Sequence, residues 1–178
     1  GNDSYFVDSG DVVIDGAGGG YDIIYATGNF TLGAGQEIEV LGTLDNTATT
    51  FMILSGNELN NYLTGNAGTN VMYGWEGQDY LQGRGGDDSY YVDGSDIVLE
   101  NAGEGYDIIY TSSDLSLPTD AEVEVLATID NTATTAITLR GNQLNNYLTG
   151  NAGANLLIGE GGSDYLGGRG GNDSYYVD

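Results

Sequence analysis

The apolar residues of this chain fall in short runs separated by Gly-rich turns. NYLT, NVMY, DYLQ and DSYY occur between residues 61 and 91, and NYLT, NLLI, DYLG and DSYY between 146 and 176. In each case a six-residue loop precedes three residues that alternate outward, inward and outward, the pattern of a short strand. Glycine suits such loops because it accepts positive φ and close backbone approach. The inward place, position eight of a nine-residue beat, holds Leu63, Met72, Leu81, Leu148, Leu157 and Leu166. Between the two sets, FTL, EIEVL and FMIL, then LSL, EVEVL and AITL, read as further strands. Pro118 falls among these, where an edge or a turn suits its missing N–H.

A longer period encloses the short one. GNDSYFVD opens at residue 1, GDDSYYVD at 86 and GNDSYYVD at 171, a spacing of 85 both times. The predicted organisation is a first unit over 1–85, a second over 86–170 and the start of a third over 171–178, all in one continuous solenoid. Both ends lie in phase and uncapped, so further units, covalent or stacked end to end, are expected to cover them.

Charge changes the picture. Acids outnumber bases 27 to 3, the bases being Arg84, Arg140 and Arg169, and the net charge is -24. Two carboxylates about 5 Å apart repel by roughly 3 kcal/mol at an effective dielectric of about 20, so clustered acids expand the chain unless cations bind. Nucleic acid is excluded as a partner, because phosphate needs a basic face. With 14 Tyr and 39% apolar residues the chain is not composed as a disordered one. Cysteine is absent, so neither disulfides nor thiolate metal sites are open to it. No apolar run approaches the roughly 20 residues of a membrane span. With no His, Cys or Lys to assist a carboxylate, no catalytic site is predicted and the chain is expected not to be an enzyme. Glu37, Glu39 and Asp45, with their copies Glu122, Glu124 and Asp130, read as a solvated strand face.

The loops carry the chemistry. From Gly56 the text reads GNELNNYLT, GNAGTNVMY, GWEGQDYLQ and GRGGDDSYY, and from Gly141 GNQLNNYLT, GNAGANLLI, GEGGSDYLG and GRGGNDSYY. These nonapeptides approximate G-G-x-G-x-D-x-U-x and resemble the hemolysin-type calcium-binding repeats of the RTX family. The long unit, with its GGNDSYYVD close, also resembles the tandem repeats of large RTX surface proteins. The resemblance implies an all-β fold, a parallel β-roll or β-solenoid with Gly-Asp-rich calcium-binding turns, two nonapeptides to a coil. Residues 18 apart would then stack about 4.8 Å from one another.

Calcium takes about 6 to 8 oxygens from carboxylates and carbonyls, and the resemblance implies that position-six Asp residues of stacked turns share it. The pairs are Asp79 with Asp96, Asp88 with Asp107 and Asp3 with Asp22; Asp11 corresponds to Asp96, and Asp164 and Asp173 begin the next set. Asn61, Asn70, Asn146 and Asn155 stand where Asp is expected, so these loops should be weak or empty, their amides hydrogen-bonding instead. The Asp-free middle strands are expected to continue the winding with bulges, a small separate sheet being the competing account. Outward Tyr62 and Tyr80, and Tyr73, Tyr91 and Tyr110, should form ladders, which offer a surface for a neighbouring solenoid or a glycan.

The expected function is a calcium-stabilised rod, stalk or filament of a secreted or cell-surface bacterial protein, unfolded during export from a low-calcium cytoplasm as in type I secretion and rigid outside. Its adhesin-like role has two alternatives, the folding and secretion module of a secreted hydrolase or toxin, and direct binding of ice or polysaccharide through the Thr-rich DNTATT face.

Overall fold

Gly-rich turns, three- and four-residue strands and an inward apolar residue on each strand leave the chain one way to bury its leucines, which is to wind. The computed structural model describes all 178 residues and contains strands and turns with no helix. In chain order the strands are β1 (Ser4–Val7), β2 (Ile23–Ala26), β3 (Phe30–Thr31), β4 (Val40–Thr43), β5 (Met52–Ser55) and β6 (Tyr62–Thr64). There follow β7 (Asn70–Tyr73), β8 (Tyr80–Gln82), β9 (Ser89–Val92), β10 (Ile97–Val98), β11 (Ile108–Thr111) and β12 (Leu115–Ser116). The last six are β13 (Val125–Thr128), β14 (Thr138–Arg140), β15 (Tyr147–Thr149), β16 (Leu156–Ile158), β17 (Tyr165–Gly167) and β18 (Ser174–Tyr176).

All pairing is parallel, and the winding is a β-solenoid of about 10 turns. One face is a continuous eight-stranded sheet of the odd strands β3 to β17. The other is a six-stranded sheet of β1 and the even strands to β10, followed by a four-stranded sheet, β12 to β18. A cavity of about 110 Å³ lined by Ile97, Val98, Leu115, Leu117 and Pro118 sits where this second face divides. Pro118 follows β12 in a turn, consistent with its inability to donate to a ladder.

Register follows the nonapeptides where they occur: Tyr62 pairs with Tyr80 and Met72 with Tyr90, 18 residues apart. The Asp-free middle belongs to the same sheets, so the separate-sheet account is set aside. Its coils are longer, Val40 pairing with Tyr62 and Phe30 with Leu54. The extra residues leave as exposed turns, such as the one in which Asp45 accepts hydrogen bonds from the backbone and hydroxyl of Thr47.

Residues 86–170 hold nine strands, β9 to β17, an odd number of half-coils. Equivalent segments 85 residues apart therefore face opposite ways: β1, β9 and β18 carry SYFV, SYYV and SYY and lie in the six-, eight- and four-stranded sheets respectively.

The core is one residue wide. Leu41, Leu54, Leu63, Met72, Leu81, Leu126, Leu139, Leu148 and Leu157 are fully buried between the faces, and each contributes about 1.5–3 kcal/mol on burial. Leu166, on β17, is only partly buried. Outside, Tyr73, Tyr91 and Tyr110 stack with ring centroids 4.5 and 5.0 Å apart, and Trp75 extends the stack at 5.7 Å from Tyr73. The ring faces meet one another, so this ladder presents edges to solvent. Tyr62 and Tyr80 are in register but do not stack, the Tyr62 hydroxyl donating instead to Gln82.

Candidate metal centre

Two kinds of loop feed the strands. In the first two nonapeptides of each set, position two is Asn, whose Oδ1 accepts the N–H two residues on: Asn57 from Leu59, Asn66 from Gly68, Asn142 from Leu144 and Asn151 from Gly153. In the last two, position two adopts a left-handed backbone although it is not glycine: Trp75 (φ 73), Arg84 (φ 83), Glu160 (φ 66) and Arg169 (φ 72). That conformation is disfavoured for bulky residues and persists only where the surroundings impose it.

The Asp-type loops build a ladder at each edge of the solenoid. Each position-six carboxylate accepts, through Oδ1, the backbone N–H of its counterpart one coil earlier. On the edge entering β8, Asp79 accepts from Asn61 at 2.7 Å and Asp96 from Asp79 at 3.0 Å. On the edge entering β9, Asp88 accepts from Asn70 at 2.6 Å and Asp107 from Asp88 at 2.8 Å. Asp22 accepts from Asp3, Asp164 from Asn146 and Asp173 from Asn155. The predicted pairs are therefore stacked neighbours. Asp11 is exposed, and its carboxylate accepts from Asp8 in a local turn as that of its counterpart Asp96 accepts from Asp93; the coil on which it would stack precedes residue 1.

The second oxygen of these carboxylates is the informative one. Oδ2 of Asp22, Asp79, Asp88 and Asp107 is buried and has no hydrogen-bond partner. Each such atom costs about 1–3 kcal/mol, and more when charged. No basic side chain relieves them: Arg140 pairs with Glu160, and Arg84 and Arg169 bond to Thr64 and Thr149. Burial raises the Asp79 and Asp107 carboxyls to about 7 and Asp88 to about 6, and also raises Asp96. Glycine at position one makes room for these oxygens: a Cβ on Gly74 would lie 2.9 Å from Oδ2 of both Asp79 and Asp96.

In the Asn-type loops an amide stands where the ladder needs positive charge. Asn70 Nδ2 donates toward the carbonyls of Asn66, Gly68 and Gly83 and toward Asp88 Oδ1, four oxygens around one nitrogen. Asn155 repeats this with Asn151, Gly153, Gly168 and Asp173. Asn61 and Asn146 donate to the carbonyls of Ile38 and Val123 at 2.8 Å. These loops are satisfied internally, as expected of them.

Six acids beyond the predicted set lie in or beside the ladders. Glu39 and Glu124, expected on a solvated face, continue the ladders by accepting from the backbone of Asp22 and Asp107. Glu37 and Glu122 lie alongside and accept from Gly18 and Gly103. Glu100 is buried, its Oε2 unpartnered, and burial lifts its carboxyl to about 9. Asp15, its counterpart 85 residues earlier, lies near Tyr5 and Asp22. The signal for Glu100 was Tyr90, a phenol at an inward position that elsewhere holds Leu or Met and that needs a polar partner.

Comparison with known families gives one match, to the RTX calcium-binding nonapeptide repeat, in four copies over residues 55–90 and 140–175. Those two stretches, 72 of the 178 residues, are similar to RTX repeats. Searches of curated proteins and of solved structures gave no significant match. The RTX stretches contain Asp79, Asp88, Asp164 and Asp173 at position six, while Asp96, Asp107, Asp22 and Asp3 extend the ladders beyond them. Buried, unpartnered carboxylate oxygens in an all-oxygen setting fit a hard divalent cation, and a calcium-binding β-roll is the architecture these repeats support.

Proposed function

We propose that this chain is a non-enzymatic, calcium-folded β-solenoid that serves as a rigid rod in a secreted or surface-attached bacterial protein. The observation that carries the reading is the set of buried, unpartnered Oδ2 atoms of Asp22, Asp79, Asp88 and Asp107, the last two on successive coils, set against amide nitrogens at the Asn-bearing positions of the same ladders. Asp79 with Asp96, Asp88 with Asp107 and Asp3 with Asp22 hold the ions, and Asp164 and Asp173 each hold one edge of a further site. Calcium supplies the positive charge that lets these acids sit one coil apart. The residues do the rest: Oδ1 fixes the carboxylate on the preceding coil, Oδ2 faces the ion, and position-one glycine keeps the space clear.

Regular parallel pairing and a core one residue wide suit a load-bearing rod on the order of 45–50 Å long for about 10 coils. Two-sidedness suits an array, because successive 85-residue units turn their equivalent surfaces half a revolution. Folding only in calcium-rich surroundings matches export as an expanded chain, since extracellular modules bind calcium at about 0.1–1 mM.

Small-angle scattering tests this. In chelator at about pH 8, where the buried acids are ionised, the radius of gyration should rise from about 17 Å toward the roughly 45 Å of an unfolded chain of this length as the unfolded fraction grows, and millimolar calcium should restore about 17 Å with a rod-like profile. A compact particle in both conditions would refute the switch.

A further inference from the structure

We propose that Glu100 adds a third carboxylate to the Asp88 and Asp107 pair, making it a three-carboxylate cation site unlike the pair at Asp79 and Asp96, and that Tyr90 positions this third acid. One oxygen of each carboxylate lies within 4.8 Å of the other two. The three side chains are 1%, 6% and 1% exposed, so the cluster is sealed from solvent. Independently of their proximity, Asp88 Oδ2, Glu100 Oε2 and Asp107 Oδ2 are all unpartnered. Three inward-facing acceptors with no donor among them call for a cation.

Each acid is held from behind. Asp88 Oδ1 accepts from Asn70, and Asp107 Oδ1 accepts from Asp88. Glu100 follows β10 on the turn that leads toward β11, and its Oε1 accepts from the Tyr90 hydroxyl. That hydroxyl in turn accepts from the N–H of Gly83 at 2.8 Å. Tyr90 thus reaches from the core to the edge and fixes both the Gly83 turn and Glu100. Gly83 must remain glycine here, as a Cβ would come 1.9 Å from Asp88 Oδ2 and 2.2 Å from the Tyr90 oxygen.

The pairing of tyrosine with the third acid recurs 85 residues earlier. Tyr5 donates to Asp15 at 3.4 Å, and a Cβ on Gly19 would meet Asp15 Oδ1 at 2.7 Å and Asp22 Oδ2 at 3.1 Å. Asp3 stacks on Asp22 there but is exposed, its Oδ2 3.9 Å from the N-terminal ammonium, so three acids converge only at Asp88, Glu100 and Asp107. Tyrosine at position eight of a DSY sequence marks the site, and Tyr175 keeps part of it, accepting from Gly168 beside Asp173. The ligand class is a hard divalent cation such as calcium, or a trivalent lanthanide in its place, bound more tightly than at Asp79 and Asp96, where two carboxylates converge.

This inference rests on the calcium reading above, and the test separates the two. Calcium titration by calorimetry and thermal melts with and without calcium are run on the whole chain and on Glu100→Gln, with Glu76→Gln, an exposed loop acid, as a charge control. Glutamine keeps an oxygen for Tyr90 and offers an amide to Asp88 and Asp107, as Asn70 does in its own loop. Metal-free Glu100→Gln should therefore melt above the metal-free wild type, while its tightest calcium event weakens by at least about tenfold. Tyr90→Phe should weaken binding with all carboxylates retained. Calcium binding and stabilisation of Glu100→Gln equal to those of Glu76→Gln would overturn the site, as would failure of Glu100→Gln to fold with or without calcium. A wild type indifferent to calcium would overturn the function proposed above.

Discussion

In metal-free buffer the protein is expected to be more stable at about pH 5 than at about pH 8, and calcium is expected to reverse that order. The sign follows from the direction of the shifts. Burial raises Asp79 and Asp107 to about 7, Asp88 to about 6 and Glu100 to about 9, all above their values in an unfolded chain. Below about pH 4 these groups are protonated in both states, and they cost nothing. As pH rises from there the unfolded chain ionises first, the native state binds more protons, and stability falls until each folded value is passed. The window is therefore about 4 to 7 for the aspartates and extends to about 9 for Glu100. One unit corresponds to about 1.4 kcal/mol, so a single such group costs several kcal/mol across the window, against a total stability of about 5–15 kcal/mol for a typical domain. Calcium displaces those protons and couples to the ionised form, so binding should release protons below about pH 7. Denaturant titrations at the two pH values, each in chelator and in millimolar calcium, check both halves. Metal-free stability that rises with pH over this window would contradict the burial of unpaired acids.

Asn70→Asp is expected to change sign with calcium. The Asn70 amide nitrogen faces three carbonyls and Asp88 Oδ1. An aspartate there replaces the donor with a fifth acceptor and sets a second negative charge beside Asp88. Without metal the substitution should destabilise the fold by about 3 kcal/mol or more, the scale of an uncompensated buried charge. With millimolar calcium the same substitution should recover most of that loss and bind one additional ion, because the oxygens that surrounded the amide become ligands. Asn70→Ala separates charge from lost hydrogen bonds: it should be destabilised to a similar extent with and without calcium. Calorimetric stoichiometry and melting temperature in the two conditions give the result. Asn70→Asp that remains as unstable in calcium as Asn70→Ala would show that the amide does not stand in for a cation.

Much of this site is legible in the sequence because it is local. The nine-residue beat places Asp79, Asp88, Asp164 and Asp173 at the end of a glycine turn, and two places on from the first two, Leu81 and Tyr90 are buried in the core. The pairs Asp79 with Asp96 and Asp88 with Asp107 are legible because their separations, 17 and 19 residues, stay close to one coil. Glu39 and Glu124 also lie 17 residues after their partners Asp22 and Asp107, but they are hidden because glutamate stands where the repeat calls for aspartate and the coils that follow, Val40 pairing with Tyr62 and Val125 with Tyr147, leave the nine-residue beat. An acid on such a coil looks solvated until the coil is closed. Glu100 escaped for a different reason: its role depends on the length of a neighbouring side chain, Tyr90, reaching across the core.

The central claim is that cations lie between carboxylates of successive coils and are replaced by amides where asparagine interrupts the ladder. Anomalous diffraction from crystals grown in calcium, with a lanthanide exchanged in for signal, tests this directly. Peaks beside Oδ2 of Asp79 and Asp96 and beside Oδ2 of Asp88 and Asp107, with none at the Asn70 and Asn155 amides, are the predicted result. A folded molecule with no density at the aspartate pairs, or with ions at the asparagine loops instead, would contradict it.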